Sequence, residues 1–175
     1  MSKFRDGFIG PAVILAAIAF VTTFLLAMTY NLTLPTVQAQ EALAEAQAKE
    51  EVLPGATEFE DVTLGEDSNS AVQAAYRATD GSGYVFRVAT PGYGGPVTFM
   101  VGVNAEGTFS GVGILSHEET PGLGAKIDNE EYLSQYVGAN DPYSVDSITG
   151  ASVSSNALKT ALRYAMESWE SLSVA

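Results

Sequence analysis

No charged residue interrupts the 22 positions from Gly7 to Met28, GFIGPAVILAAIAFVTTFLLAM. A helix rises about 1.5 Å per residue, so this run is long enough to cross the roughly 30 Å hydrocarbon core of a bilayer. Pro11 falls near its start, where a helix tolerates proline. Lys3 and Arg5 precede the run and the next basic residue is Lys49. That bias predicts a cytoplasmic N-terminus, with everything after Tyr30 outside the cytoplasm. A cleaved signal peptide is the competing reading. Its apolar stretch usually spans about 7–15 residues and ends in a small-residue cleavage site, and neither applies here. The sequence therefore predicts a cytoplasmic tip at residues 1–6 and a lipid-embedded transmembrane helix over 7–30.

The rest of the 175-residue chain has room for one globular domain. With no cysteine it carries no disulfide scaffold, iron–sulfur cluster or thiol nucleophile, and one histidine builds no multi-histidine metal centre. Eight basic residues stand against 21 acidic ones, a net charge of −13, which excludes nucleic acid as a partner. Residues 31–175 alone carry six basic and 20 acidic side chains, a net −14. Such a surface stays soluble and is not drawn to anionic headgroups.

From Thr36 to Leu53 the residues are mostly Ala, Glu, Gln and Lys, strong helix formers that Pro35 can start and Pro54-Gly55 stop. Residues 31–55 thus read as a membrane-proximal helical spacer, or as a shallow packing helix, because its apolar positions are mainly alanine. Beyond it lie strand-like runs. Val62–Leu64 comes first and a polar turn, Gly65 to Ser70, follows. Ala71–Thr79 and Tyr84–Thr90 flank Asp80-Gly81-Ser82-Gly83, and Val97–Val103 and Thr108–Ser116 flank Asn104-Ala105-Glu106-Gly107. Both connectors are hairpin signals. Phe86, Val88, Phe99, Val101, Val103, Phe109, Val112 and Ile114 supply one apolar face. Ser155–Leu172 carries Leu158, Leu162, Ala165, Trp169 and Leu172 at helical spacing, a stripe suited to covering that face. The predicted class is α+β: a transmembrane helix, then a small, mainly antiparallel sheet packed with helices over residues 56–175.

Three loops concentrate special-geometry residues. Pro91-Gly92-Tyr93-Gly94-Gly95-Pro96 lacks the G-x-G-x-x-G spacing of a dinucleotide loop and lies between two strands. Glu119-Thr120-Pro121-Gly122-Leu123-Gly124 is either a tight turn or a place where backbone approaches a flat ligand. Asp146 to Ser155 ends where the last helix begins. It reads either as a turn with a capped helix, Ser154 or Ser155 being the cap, or as an anion site at a helix N-terminus. Thr149, Ser152, Ser154 and Ser155 crowd four hydroxyls around Gly150-Ala151, while Lys159 is the one cation within ten residues of Ser152. A phosphate held there without arginine would need a covalent bond to stay.

Asp146-x-x-Thr149-Gly150-Ala151-Ser152 resembles the flavinylation motif of the covalent FMN-binding domain family, Asp-x-x-Ser/Thr-Gly-Ala-Thr/Ser. Ser116-His117-Glu118-Glu119-Thr120-Pro121-Gly122-Leu123-Gly124-Ala125-Lys126-Ile127 resembles that family's other hallmark. With Gly92–Pro96, Val101-Gly102-Val103 and the N-terminal anchor, the resemblance narrows to the G subunits of Rnf ion-translocating electron-transport complexes. The C subunits of Na+-translocating NADH:quinone reductases are the sibling family, usually longer, and the alternative membership. The resemblance implies FMN joined by a phosphoester to Ser152, where threonine is commoner in the family. It implies an FMN transferase that uses FAD as donor and recognises a sequence including Asp146, with other membrane subunits of the complex as partners. It implies that Glu119, Thr120, Pro121, Gly122, Leu123 and Gly124 lie against the flavin and that Thr149, Gly150, Ala151 and Val153 also bind the cofactor, and from it we expect Ser154, Ser155 and the helix amides to surround the phosphate. The complex it points to couples ferredoxin oxidation to NAD+ reduction and moves Na+ or H+, its main domain outside the cell membrane. Two readings of other classes stand beside it. A hydrolase would need a serine paired with His117, but no G-x-S-x-G elbow is present. A non-catalytic anchored surface or assembly protein fits the anchor and spacer and leaves the two motif loops unused.

Overall fold

The computed structural model describes residues 9–65 and 69–173. The expected tip at 1–6, with Lys3 and Arg5, and the middle of the Gly65–Ser70 turn lie outside the described residues. The chain divides into two compact units between Leu43 and Ala44. Helix α1 spans Ile9–Val52 and supplies all the described structure of the first unit. Val13, Leu15, Phe20, Phe24 and Leu26 are all more than half exposed along it, an apolar surface of the length and composition that crosses a membrane.

The expected helix start at Pro35 is not observed, because α1 runs through that residue. Proline removes one i→i−4 hydrogen bond and ordinarily costs a helix about 3 kcal/mol. On its N-terminal side Asn31 Nδ2 donates to Ala27 O at 3.0 Å and Thr33 Oγ1 to Thr29 O at 2.9 Å. On the other side the Ala/Glu/Gln run keeps helical geometry favourable.

In the second unit, five antiparallel strands follow one another in sheet order: β1 (Phe59–Val62), β2 (Val72–Ala78), β3 (Gly83–Pro91), β4 (Pro96–Asn104) and β5 (Phe109–Ser116). The two predicted hairpins are present, with Gly81 (φ +76°) and Gly107 (φ +79°) taking the left-handed conformation their turns require. β1 lies before the expected Val62–Leu64. Its Glu60-Asp61 interior breaks the apolar alternation, so only its pairing with β2 reveals it. Between β5 and the last helix the chain makes a 3-10 turn at Gly124–Ile127, the short helix α2 (Glu130–Leu133) and a second 3-10 turn at Ser134–Tyr136. Asn129 caps α2 through its side-chain oxygen, which accepts from Glu131 N and Tyr132 N. Helix α3 (Ser152–Ser173) covers one face of the sheet, burying Leu158, Ala161, Leu162 and Ala165 against Phe86, Val88, Phe99, Val101 and Phe109. Trp169 and Leu172, at the end of the expected stripe, are half-buried at the margin.

The opposite face is covered as well. The end of α1 and the turn after it place Val52, Leu53 and Ala56 on Tyr76, Ala78, Val85 and Met100. Glu45 accepts from the Tyr76 hydroxyl and pairs with Arg87 Nη1 at 2.7 Å, while Lys49 Nζ sits 3.9 Å from the centre of the Tyr76 ring. The last turns of α1 are therefore a second packing layer of the sheet. Burial, reinforced by the Glu45 bond and charge, pushes the Tyr76 phenol well above its ordinary 10.0. Burial and the bond to Tyr132 do the same for Tyr136. A raised phenol pKa favours the neutral form in the fold. The stability it contributes is complete below about pH 10 and is lost as pH rises through the folded value. An alkaline titration followed by phenolate absorbance will show a late step coinciding with unfolding. That step is reduced in Tyr76→Phe and again in Tyr136→Phe.

Candidate functional site

Three segments meet at one end of the sheet. The first is the β3–β4 connection, where Pro91 pairs with Pro96 and Gly92 N donates to Gly95 O at 2.8 Å. This is a hairpin turn, and it presents Tyr93 at its tip, 74% exposed. The second follows β5. Leu123 N and Ala125 N both donate to Thr120 O at 3.2 Å, and Gly122 (φ +77°) closes this turn. His117 Nδ1 accepts from Glu119 N at 3.2 Å, and its Nε2 lies 3.8 Å from Asp128 Oδ2. Glu119 itself is buried.

The third segment leads into α3. Ala151 N donates to Ile148 O, and Gly150 (φ +83°) turns the chain into the helix. Ser155 N makes the first helical bond, to Ala151 O at 2.9 Å, so the amides of Ser152, Val153 and Ser154 precede the intrahelical ladder. The expected cap at Ser154 or Ser155 is corrected here: α3 begins at Ser152, and both serines lie inside its first turn. Their side chains face inward. Ser155 Oγ accepts from Ile148 N at 3.0 Å, and Ser154 Oγ donates to Glu119 Oε2 at 2.8 Å. Lys159 Nζ donates to Ser147 Oγ at 3.1 Å and pins the loop from behind. The Tyr132 hydroxyl donates to Asp146 O at 3.2 Å from another side.

A cleft of about 380 Å³ opens between these segments, lined by Tyr93, Glu119, Thr120, Leu123, Gly124, Gly150, Ala151, Ser152, Val153 and Ser154. That volume falls within the range of small-molecule sites, and the walls mix exposed apolar groups with hydroxyls and backbone amides. The structure thus brings nine of the residues expected from the sequence to one cavity. Pro121 and Gly122 form the exposed back of their turn, Thr149 and Asp146 lie outside the cleft wall, and Ser155 is fully buried behind it. Sequence reasoning missed Tyr93. The glycines around it marked the turn as unusual, but only the fold brings that turn beside Glu119 and α3. The described residues contain no cluster of His, Cys, Asp and Glu able to hold a metal ion.

Residues 92–167 match the FMN-binding domain family, and residues 9–52 match the RnfG N-terminal region. The chain is 33% identical to the G subunit of the ion-translocating oxidoreductase complex of Methanosarcina acetivorans, over 89% of this chain and 90% of that protein. It is 32% identical to the protein of the same name from Vibrio vulnificus, over 87% and 85%. It is 26% identical to the G subunit of the Na(+)-translocating ferredoxin:NAD(+) oxidoreductase complex of Acetobacterium woodii, over 91% and 90%.

Proposed function

Because the chain belongs to the family of G subunits of ion-translocating oxidoreductase complexes, we propose that it carries FMN esterified to Ser152 and relays electrons within such a complex. One observation carries the assignment of Ser152. Of the four hydroxyls grouped around Gly150-Ala151, Ser152 alone is both exposed and part of the cleft wall, and Ser147, earlier in the loop, lies outside that wall. Ser154 lines the cleft but is 1% exposed and committed to Glu119, Ser155 is buried outright, and Thr149 lies outside the wall. The residues present suit FMN. Leu123 and Val153 offer apolar surface to a flat ring system, and the leading amides of α3 offer donors to a phosphate. No arginine or lysine lines the cleft, which is tolerable for a ligand held by a bond.

FMN supplies the electron-carrying chemistry; the chain supplies position, exclusion of water and the attachment point. For attachment, Ser152 Oγ forms a bond to the FMN phosphorus of FAD while the P–O–P bond breaks. AMP leaves, one proton is released, and no electrons are transferred. An FMN transferase is the partner for this step, with the exposed Asp146 as part of what it reads. In this reading residues 7–30 anchor the chain in the cell membrane beside other subunits of the complex. Residues 1–6 stay cytoplasmic, residues 31–55 form the membrane-proximal segment, and 56–175 is the extracytoplasmic FMN-binding domain. The coupled reaction, ferredoxin oxidation with NAD+ reduction and translocation of an ion, follows the relatives' names, one of which prints Na(+).

Intact mass of the membrane-extracted chain, co-expressed with the transferase, tests attachment and anchor together. The expected mass is the full chain plus one FMN less one water. An unmodified chain under those conditions would overturn the flavin reading, and a chain shortened past residue 30 would overturn the anchor.

A further inference from the structure

We propose that Glu119 is a positioning residue, its buried carboxylate tying the Tyr93 turn to the first turn of α3 and so holding the two walls of the cleft in register. The inference rests on the reading of Ser152 as the flavin-bearing residue, and its test separates the two. Glu119 is 5% exposed, and each of its oxygens serves a different wall: Oε1 accepts from Tyr93 N at 2.7 Å, and Oε2 accepts from Ser154 Oγ at 2.8 Å. The chain makes room for it on both sides. A Cβ at Gly92 would lie 2.0 Å from Oε1, and a Cβ at Gly124 would lie 2.1 Å from Oε2. The turn also nests on the neighbouring backbone, since a Cβ at Gly94 would meet Glu118 O at 2.0 Å. The spacing of Pro91-Gly92-Tyr93-Gly94-Gly95-Pro96, unexplained as a nucleotide loop, is thereby accounted for.

No ion pair among the described residues includes Glu119. A carboxyl group out of water is a poor source of stability unless its oxygens are bonded, and here both are bonded to segments 26 and 35 residues away in sequence. Ser154 lies two residues beyond Ser152 on one turn of helix. Fixing Ser154 therefore fixes the backbone that presents the Ser152 hydroxyl, while fixing Tyr93 N sets the opposite rim.

The test uses the full-length, detergent-extracted chain. Without the transferase, Glu119→Ala raises the hydrogen-exchange rate of the Tyr93 amide about tenfold or more, because a charge-assisted acceptor is lost. Glu119→Gln restores most of the protection: its carbonyl accepts from Tyr93 N–H and its amide donates to Ser154 Oγ. With limiting transferase, Glu119→Ala slows flavin attachment about tenfold in kcat with little change in KM, the signature of lost orientation. Ser154→Ala, which cuts one tie only and leaves the Tyr93 bond, falls between and serves if Glu119→Ala does not fold. Unchanged Tyr93 exchange in Glu119→Ala, or in Glu119→Gln an attachment defect as large as in Glu119→Ala, would overturn the positioning role. If no variant, the parent included, takes up flavin, the Ser152 reading fails, and Tyr93 exchange still decides the tie.

Discussion

Ser152→Ala will leave a folded chain with no covalent flavin. Co-expressed with the transferase and run on a denaturing gel, the parent chain fluoresces and the alanine variant falls to background. The structure makes this a clean comparison. The Ser152 side chain is exposed and makes no hydrogen bond among the described residues, and alanine is the best helix former. The substitution should therefore move stability by no more than about 0.5 kcal/mol. Loss of the signal then reports the missing oxygen and not a damaged fold. Ser152→Thr keeps a hydroxyl at the same position and keeps the fluorescence. A fluorescent Ser152→Ala variant would sink the assignment and redirect it to Thr149 through Thr149→Ala.

That burial separates the four hydroxyls is something the sequence does not display. Thr149, Ser152, Ser154 and Ser155 are alike in one dimension. Only once α3 is known to start at Ser152 do Ser154 and Ser155 turn inward, a consequence of the 3.6-residue period acting from a starting point displaced by three residues. The sheet was more legible. Strand alternation and the Asp80–Gly83 and Asn104–Gly107 turns are local signals, and β2 to β5 fall within about two residues of their expected ends. The apolar stripe of α3 is likewise a local pattern. Two features are not local and were not legible. Glu119 reads as one more polar loop residue until Tyr93 and Ser154 arrive from other segments. The end of α1 reads as a spacer or as a shallow packing helix, and only the fold decides for packing, because what receives its one valine, one leucine and few charges is assembled from other segments: Tyr76, Val85, Met100 and a patch of glycines.

Those glycines carry the largest expected effect on stability. Gly102 and Gly111 pair across β4 and β5 on the face opposite α3, and Val52 lies directly on them. A Cβ at Gly102 would stand 2.1 Å from Val52 O, and one at Gly111 would stand 2.6 Å from Val52 Cα. The same carbonyl accepts from Ser110 Oγ at 2.6 Å, so it cannot swing aside without breaking that bond. Gly102→Ala must therefore push the end of α1 off the sheet, loosening Leu53 and Ala56 and the Glu45–Tyr76 and Glu45–Arg87 contacts with it. Overpacking of this kind costs about 1–3 kcal/mol, and a thermal melt of the extracted chain should show Tm lowered by roughly 5–10 °C. Gly113 is the control, on the same face of β5. A Cβ there meets only Val52 Cγ1 at 3.5 Å, an ordinary contact, so Gly113→Ala should be neutral or slightly stabilising in a strand. Val52→Ala will not rescue Gly102→Ala, because the obstacle is a backbone oxygen that every residue carries. Equal melting of the two glycine variants would mean that α1 does not rest on this face.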